Sequence, residues 1–356
     1  MAAGRMLRSG WKGDAVTGRE RVLTTLEGGL PDRLPCMPIT MMFAGDQLGV
    51  KYADYARDHR VLVEAQIRTA EEFDFDYVSA ISDPAREAAD YGAQLSWFED
   101  QPPDLSEANS LLTEKSRLRQ LPRLEDVEGG RTEDRVRGVE LLRRRVGAEK
   151  LVEGWVEGPC AEAADLRGIN RLMLDFTDDP EFVRELFEFV VEGAIAFSRA
   201  QVRAGADIIG LGDAAASLAG PRIYEEFVWP AEKKLVDGIH AAGGRVRLHI
   251  CGNTRRILAG MGRLGCEMVD LDFPVPMHEA REKMGPRQVL AGNIDPVRVL
   301  RNGTPQGVTE AIAECHRQAG ARYIVAAGCE VPRGTPHANL RALVDYARSH
   351  PPGTQA

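Results

Sequence analysis

The chain has 356 residues, a length that suits one large α/β barrel or two ordinary domains and exceeds that of one small domain. Its formal charge of −9 argues against a protein that coats nucleic acid or anionic lipid, because both of those partners need a cationic face. Hydrophobic residues make up 44% and charged residues 28%, a balance typical of soluble globular proteins. No apolar run reaches the roughly 18 residues of a membrane span, and the N-terminal residues lack the apolar stretch of a signal peptide, so we expect a cytoplasmic protein.

In chain order, residues 1–16 are expected to form a loose leader, and a first helix begins at Thr17, where Glu20 completes a capping box. Beyond this helix, short apolar runs alternate with long amphipathic stretches. The apolar runs predict eight strands: Met37–Met41, Tyr77–Ile81, Leu151–Val156, Asp207–Leu211, Arg245–Ile250, Glu267–Leu271, Gln288–Ala291 and Arg322–Ala326. The amphipathic stretches predict helices, the clearest being Tyr55–Phe73, Asp179–Ala204, Pro221–Ala242, Thr254–Leu264, Gln306–Ala319 and Pro336–Ser349. Residues 351–356 are expected to fray.

The alternation of strands and helices predicts a parallel sheet with crossover helices. Eight such units fit a (β/α)₈ TIM barrel better than the second alternative, an open doubly wound sheet. No G-x-G-x-x-G follows the first strand, which weakens a dinucleotide-binding version of the open sheet. We expect a single domain over residues 17–350, in which residues 98–130 form an insertion after an early strand that caps the barrel mouth.

Polar side chains and thiols cluster where the predicted strands end, which is where the chemistry of a barrel gathers. The chain has six cysteines, but it is long and shows no export signal, so a disulfide framework is not expected. Cys36, Cys160, Cys266 and Cys315 are interpreted as core or neutral residues. The other two cysteines lie at strand ends and raise the question of a metal site.

His249, Cys251 and Cys329 form the sharpest candidate site. His249 and Cys251 are two positions apart, so their side chains point the same way on an extended strand, and Cys329 ends the last predicted strand. One imidazole and two thiolates would give Zn²⁺ three ligands and an open position, the arrangement of a catalytic zinc. Such a sulfur-rich site suits alkyl transfer to a thiol, whereas water activation for hydrolysis is the competing use of zinc. A buried histidine with two inert cysteines is the structural alternative.

Four carboxylates near the strand ends are further candidates. Glu157 precedes Gly-Pro at the mouth and could be a fourth zinc ligand or could cap the next helix. Glu330, which is beside Cys329, is an equal candidate for the fourth ligand. Asp83 and Asp213 could bind a substrate, although an aspartate that precedes a helix is a cap more often than not.

The stretch from about Arg19 to Arg348 resembles the uroporphyrinogen decarboxylase family. The matching pieces include Arg-Glu-Arg-Val from Arg19, Glu-Gly-Pro from Glu157, Gly-Asn-Ile-Asp-Pro from Gly292 and Gly-Cys-Glu-Val-Pro from Gly328. The resemblance implies a (β/α)₈ barrel, in agreement with the strand count.

Within this family, the residues favour the methyltransferase branch over the decarboxylases. The Arg-rich R-x-x-G-R segment that follows the first strand in the decarboxylases is replaced by residues 38–46, which contain no arginine, and Cys329 stands where they have histidine. The H-x-C motif of His249 and Cys251, with Cys329 after the last strand, matches the zinc methyltransferases that act on a corrinoid protein and coenzyme M. The resemblance therefore implies a bound Zn²⁺ and methyl transfer between a corrinoid and a thiol.

The resulting hypothesis is a zinc-dependent methyltransferase whose corrinoid is supplied by a partner protein, since the chain has no D-x-H-x-x-G segment. The resemblance implies a small thiol substrate. The net charge and the lack of a long apolar run argue against nucleic-acid and membrane partners, and a homodimer is possible. Glu157 and Asp213 are predicted catalytic residues, and Met41, Asp83 and Asp213 are predicted to line the substrate pocket. The alternative is a decarboxylase of a tetrapyrrole that uses Asp83 and Asp213 as polar anchors and needs no metal.

Overall fold

The computed structural model describes residues 16–126 and 128–353, so most of the predicted leader and the last three residues lie outside the described residues. The first helix begins as predicted. The Thr17 hydroxyl accepts a hydrogen bond from the Glu20 backbone N–H at 3.1 Å, and the Glu20 carboxylate accepts one from the Thr17 backbone N–H at 2.9 Å. This capping box confirms the predicted start of the helix.

The fold is an α/β fold whose parallel sheet is curled into a half-barrel of seven strands. The strands of the chain are β1 (Tyr77–Ser79), β2 (Leu95–Ser96), β3 (Asp104–Leu105), β4 (Leu151–Glu157), β5 (Ile208–Gly212), β6 (Val246–Ile250), β7 (Met268–Leu271), β8 (Val289–Ile294) and β9 (Tyr323–Ala327). The sheet order is β1-β4-β5-β6-β7-β8-β9, and β2 pairs with β3 separately. Because the order follows the chain without reversal, the sheet differs from a doubly wound one, in which the strand order reverses at a switch point.

The helices that connect and cover the strands are α1 (Gly18–Leu26), α2 (Met42–Leu48), α3 (Tyr52–Arg57), α4 (His59–Phe73), α5 (Arg86–Asp90), α6 (Arg131–Val146), α7 (Pro159–Arg167), α8 (Ile169–Asp178), α9 (Pro180–Ala204), α10 (Ala216–Ile223), α11 (Trp229–Ala241), α12 (Leu258–Arg263), α13 (Met277–Met284), α14 (Pro305–Ala319) and α15 (His337–Ser349). Two of the predicted helices are divided. Asp58 caps α4 by accepting a hydrogen bond from the Arg60 backbone N–H at 2.8 Å, which splits the segment Tyr55–Phe73. A π-helical stretch, Tyr224–Val228, separates α10 from α11 within the segment Pro221–Ala242.

Seven of the eight predicted strands are present, but Met37–Met41 is wrong as a strand. Only Cys36 forms a bridge, with Val325 of β9. Pro35 and Pro38 flank this bridge, and proline has no backbone N–H to donate to a ladder, so the pairing stops after one residue pair. The segment is nevertheless held on both sides. The Met37 N–H donates to the Val325 carbonyl at 2.9 Å, and the Asp76 N–H, just before β1, donates to the Cys36 carbonyl at 3.1 Å.

Residues 98–130 contain little regular structure. Besides β3, they form three short 3₁₀ turns, at Glu107–Asn109, Lys115–Gln120 and Leu124–Asp126. Arg167 of α7 donates to the Leu112 carbonyl at 2.6 Å, and Leu112 is fully buried. The middle of this segment is therefore packed against the helices that follow β4. Its predicted role as a cap stays a prediction.

The strands of the large sheet are buried along their whole length, and one continuous apolar core surrounds them. A separate small apolar cluster of Ile39, Ile81 and Trp155 lies where the strands end. Gly210 of β5 makes room for this indole, because a Cβ at that position would lie 2.1 Å from the Trp155 ring. Among the described residues, no helix is both long enough and apolar enough to cross a membrane.

Candidate metal centre and active site

The fold brings His249, Cys251 and Cys329 together at the carboxyl ends of β6 and β9. The Cys251 sulfur lies 3.2 Å from His249 Nε2 and 3.9 Å from the Cys329 sulfur. All three ligand atoms lie within 4.8 Å of one another, with His249 buried and both cysteines half-buried. The residues that sequence analysis placed at distant points of the chain therefore converge on one position.

These three atoms fit a tetrahedral zinc ion. Zinc bonds of about 2.3 Å to sulfur and about 2.0 Å to nitrogen, set at tetrahedral angles, require about 3.8 Å between two sulfurs and about 3.5 Å between sulfur and nitrogen. The separations of 3.9 Å and 3.2 Å are close to those values. Two thiolates and an imidazole are also the donor types that zinc prefers. The other four cysteines are free, and burial raises the pKa of the thiols of Cys36, Cys160 and Cys266.

Hydrogen bonding within the group separates the acidities of the two thiols. The pKa of Cys329 falls to about 4, because Cys251 stabilises its thiolate by a hydrogen bond and His249 lies nearby, although burial opposes the change. The same hydrogen bond and burial raise the pKa of Cys251. Burial lowers the pKa of His249, but the charge of Cys251 and contacts with Asp270 and Cys329 raise it well above its usual value overall. A cation bound by these three residues would displace their protons.

A buried ion-pair network orients the imidazole, and sequence analysis missed it. His249 Nδ1 lies 3.3 Å from the Asp270 backbone carbonyl, which accepts its hydrogen bond, and 3.3 Å from the Asp270 carboxylate. Arg247 donates to the same carboxylate at 2.7 Å and to Glu153 at 3.2 Å. A carboxylate behind a metal-binding histidine fixes its tautomer and ring orientation. The signal for this network was present in the sequence as charged residues inside apolar strands, at Glu153, Arg247 and Asp270.

A cavity of about 170 Å³ opens beside the three residues. Of the other predicted site residues, Met41, Asp83, Glu157 and Glu330 line it together with His249, Cys251 and Cys329. Asp213 does not line it. Its two carboxylate oxygens accept hydrogen bonds from the backbone N–H groups of Ala161 at 2.6 Å and Cys160 at 3.3 Å, so Asp213 caps the start of α7.

The carboxylates that line the cavity are each held by other groups. Glu157 accepts hydrogen bonds from Arg86 at 3.0 Å and from the Trp155 indole N–H at 3.2 Å. Glu330 accepts one from the Met42 backbone N–H at 2.8 Å, and burial raises its pKa to about 7. Neither belongs to the group of three ligand atoms. A role of either residue as a fourth ligand stays a prediction.

Asp83 is almost fully buried and is paired with Arg131, which donates to its two oxygens at 2.8 Å and 2.6 Å. Burial would raise its pKa, but the hydrogen bonds and charge of Arg131 hold that pKa below its usual value. The Asp83 carboxylate is therefore ionised and neutralised by its own partner. Arg86, which lines the cavity, and Arg131, which pairs with Asp83 but does not line the cavity, were not identified from the sequence.

A family model described as uroporphyrinogen decarboxylase (URO-D) matches residues 17–350. The chain therefore belongs to the uroporphyrinogen decarboxylase family.

Its relatives within that family include methyltransferases over nearly their whole length. The chain is 30% identical over 345 residues to the methylcobamide:CoM methyltransferase MtbA of Methanosarcina mazei, covering 94% of this chain and 98% of that protein. It is 26% identical over 345 residues to a methylated-thiol–coenzyme M methyltransferase of the same organism, covering 94% of this chain and 90% of that protein. The predicted resemblance to the methyltransferase branch is confirmed by these relatives.

A solved structure of a methyltransferase from Methanosarcina mazei has a similar fold. Its TM-score is 0.83 at 21% sequence identity, with 94% of this chain and 98% of that chain covered. At this level of identity, the likeness supports the fold alone.

Proposed function

We propose that this protein is a zinc-dependent methyltransferase that moves a methyl group between a protein-bound methylcobamide and a small thiol. The observation that carries the proposal is the convergence of His249, Cys251 and Cys329, whose ligand atoms lie within 4.8 Å of one another beside a cavity. The similarity to corrinoid-linked methyltransferases over 94% of the chain supports the same reaction class. The corrinoid would arrive on a partner protein, because the chain has no D-x-H-x-x-G segment to hold it.

The proposed architecture is a single (β/α)₈ barrel over residues 17–350 in which residues 35–37 serve as the strand between β9 and β1. Hydrogen bonds from this segment to Val325 on one side and from Asp76 on the other support that closure. Residues near Asp100 would cover the mouth. Arg333, which follows β9, donates to the Asp100 carboxylate at 3.0 Å, and the Tyr52 backbone N–H donates to it at 3.3 Å.

In the proposed mechanism, a zinc ion held by His249, Cys251 and Cys329 would keep the substrate sulfur deprotonated and nucleophilic at neutral pH. The chain's own residues provide the positioning. Asp270 holds the His249 ring with its Nε2 toward the cavity, and the apolar side chains of Ile39, Ile81 and Trp155 exclude water from the sulfur. The methylcobamide of the partner protein would be a substrate of this site: its methyl group would pass to the sulfur, and the electron pair of the carbon–cobalt bond would stay with the cobamide as the leaving group.

Decarboxylation of a tetrapyrrole is the less favoured alternative. A porphyrinogen with many carboxylates needs free cations for bidentate recognition. Arg86 and Arg131 are instead paired with Glu157 and Asp83. The cavity of about 170 Å³ is also below the range of about 300–1,000 Å³ typical of pockets that bury drug-sized ligands, and a tetrapyrrole is larger still.

Zinc content and methyl transfer test this proposal together. Protein purified without chelator should contain about one zinc per chain, and Cys251→Ser and Cys329→Ser should each lose zinc and lower methyl transfer from methylcobalamin to a thiol by at least about 100-fold. Cys315→Ser, a half-buried cysteine outside the group, is the matched control and should retain both properties. The proposal is overturned if the purified protein contains no zinc and the Cys251 and Cys329 variants keep full activity. Release of carbon dioxide from uroporphyrinogen would also overturn it.

A further inference from the structure

The cavity beside the candidate metal centre offers no free positive charge among its described lining residues. Apart from the candidate ligand His249, the one cationic side chain among the described lining residues is that of Arg86, which is itself buried. The Arg86 guanidinium donates to Glu157 at 3.0 Å and to the Asp83 carbonyl, and it lies 3.4 Å from Glu87. Arg86 Nε has no partner, but it is shielded from solvent and so from a ligand in the cavity. Arg86 therefore serves the protein's own acidic groups.

Apart from Arg86 and the candidate ligands, the ionisable groups that face the cavity are carboxyl groups, and each is held by a partner of its own. Asp83, Glu157 and Glu330 all line it, whereas Arg131, the partner of Asp83, does not. An anionic ligand would therefore meet carboxyl groups and find no unpaired cation among the described lining residues. Burying an unpaired charge is costly.

The remaining walls are mostly apolar. Ile39, Met41, Ile81 and Trp155 form one side, and Pro84 and Ala214 lie at the rim, where both are exposed. Their arrangement leaves about 170 Å³, enough for a thiol with a short alkyl or aryl group. Such a group would gain from the transfer of its apolar surface out of water.

We infer that the methyl acceptor is a small uncharged thiol with an apolar substituent, and not a thiol that carries an anionic group such as the sulfonate of coenzyme M. The inference rests on the proposed function and specifies its substrate class. It separates this chain from relatives whose names specify coenzyme M. The physical basis is the combination of apolar walls with acidic groups and the lack of an available cation in the described part of the cavity.

Three thiols of nearly the same shape isolate the effect of charge: 2-mercaptoethanesulfonate (anionic), 3,3-dimethylbutane-1-thiol (neutral) and thiocholine (cationic). With methylcobalamin as donor and zinc-loaded protein, each turnover consumes one thiol, releases its proton to the buffer and converts methylcobalamin to cob(I)alamin. We expect kcat/KM for the neutral thiol to exceed that for the sulfonate by at least roughly tenfold. An equal or higher value for the sulfonate, or the highest value for thiocholine, would overturn the inference.

Direct binding separates this inference from the proposed function. The methyl thioethers of the three compounds have no thiol proton, so their affinities, measured by calorimetry, report charge without thiol acidity. If no thiol is methylated, the proposed function fails, but tightest binding of the neutral thioether still supports the part of the inference that concerns the cavity, its preference for an uncharged apolar ligand. Equal binding of all three, or tightest binding of a charged one, overturns the inference.

Two lysine variants provide a reciprocal test. Ala214→Lys adds a cation at the exposed rim of the cavity, and we expect it to raise the kcat/KM ratio of sulfonate to neutral thiol by roughly tenfold. Leu218→Lys adds the same charge to an exposed residue of the next helix that does not line the cavity, and should leave the ratio unchanged. A similar shift in both variants would indicate a general charge effect and would contradict the inference.

Discussion

At the scale of single residues, Asp270 links the candidate metal centre to the interior of the sheet. Its carboxylate lies 3.3 Å from His249 Nδ1 and accepts a hydrogen bond from Arg247 at 2.7 Å. Both Asp270 and Arg247 are almost completely buried. The orientation of the imidazole is therefore set by a network within the core and not by the loops of the mouth.

Replacing Asp270 tests this positioning role. Asp270→Asn should weaken zinc affinity by about 10–100-fold, because the amide orients His249 less strongly than the carboxylate does. Competition with a chromogenic chelator measures the change directly. Asp207→Asn is the matched control, since Asp207 is a buried partner of Arg19 and Arg143 outside the site and the substitution should lower stability without changing zinc affinity. Equal zinc affinity of Asp270→Asn and the unmodified protein would contradict the role.

At the scale of elements, a buried pair of carboxyl groups joins the end of β5 to α11. Asp213 and Glu232 are both fully buried, and Tyr224 donates to Glu232 at 2.7 Å. Burial raises the pKa of Asp213 to about 7, and burial together with the charge of Asp213 raises the pKa of Glu232 well above its usual value. Both carboxyl groups keep their protons in the folded state at pH values where the same groups in the unfolded chain have lost them. The contribution of the two groups to the free energy of unfolding therefore falls as pH rises from about 4 through 7.

Glu232→Gln should reduce this pH dependence. At pH 8 the variant should be more stable than the unmodified protein by about 1–3 kcal/mol, because the glutamine amide can donate to an ionised Asp213 without adding a charge. At pH 5 the difference should be smaller. Denaturant unfolding at the two pH values measures it, with the exposed Glu188→Gln on α9 as control. The prediction is wrong if the gain in the free energy of unfolding, variant over unmodified protein, is no larger at pH 8 than at pH 5.

At the scale of the whole molecule, the segment of residues 35–37 joins the two ends of the sheet, and Asp76 holds it. The Asp76 carboxylate accepts hydrogen bonds from the Cys36 backbone N–H at 2.7 Å, from Arg21 at 2.6 Å and from Arg33 at 3.2 Å. Asp76 is 1% exposed. Its removal would leave buried Arg21 with Asp32, which is partly exposed, as its remaining carboxylate partner, and would release the segment that bridges β9 and β1.

Asp76→Asn should therefore lower the free energy of unfolding by about 3–5 kcal/mol and speed hydrogen exchange of the Met37 amide. Asp32→Asn removes a second partner of the same Arg21, but the Asp32 side chain is 44% exposed, so the loss should stay below about 1 kcal/mol. Chemical denaturation and amide exchange by NMR distinguish the two variants. Similar losses in both would mean that the segment depends on Arg21 alone and not on Asp76.

Most of the architecture was predictable because parallel strands buried on both faces appear in a sequence as continuous apolar runs. Seven strands lie within a few residues of their predicted bounds. The first strand was wrong because Pro35 and Pro38 prevent a ladder, a local restriction that its apolar pattern does not reveal. The division of Tyr55–Phe73 at Asp58 was missed for a related reason, since the apolar periodicity continues across the cap.

The residue types at the strand ends follow from the order of amino acids, and so do the candidate ligands His249, Cys251 and Cys329 and the family they indicate. Which charges are available to a ligand follows from the folded arrangement of the chain. Asp213 was a predicted catalytic residue, but its oxygens cap α7, and Arg86, which no motif indicated, lies in the cavity with its charge already paired. A linear pattern records where an ionisable side chain lies along the chain, whereas its partners, burial and charge state depend on which distant residues the fold brings against it.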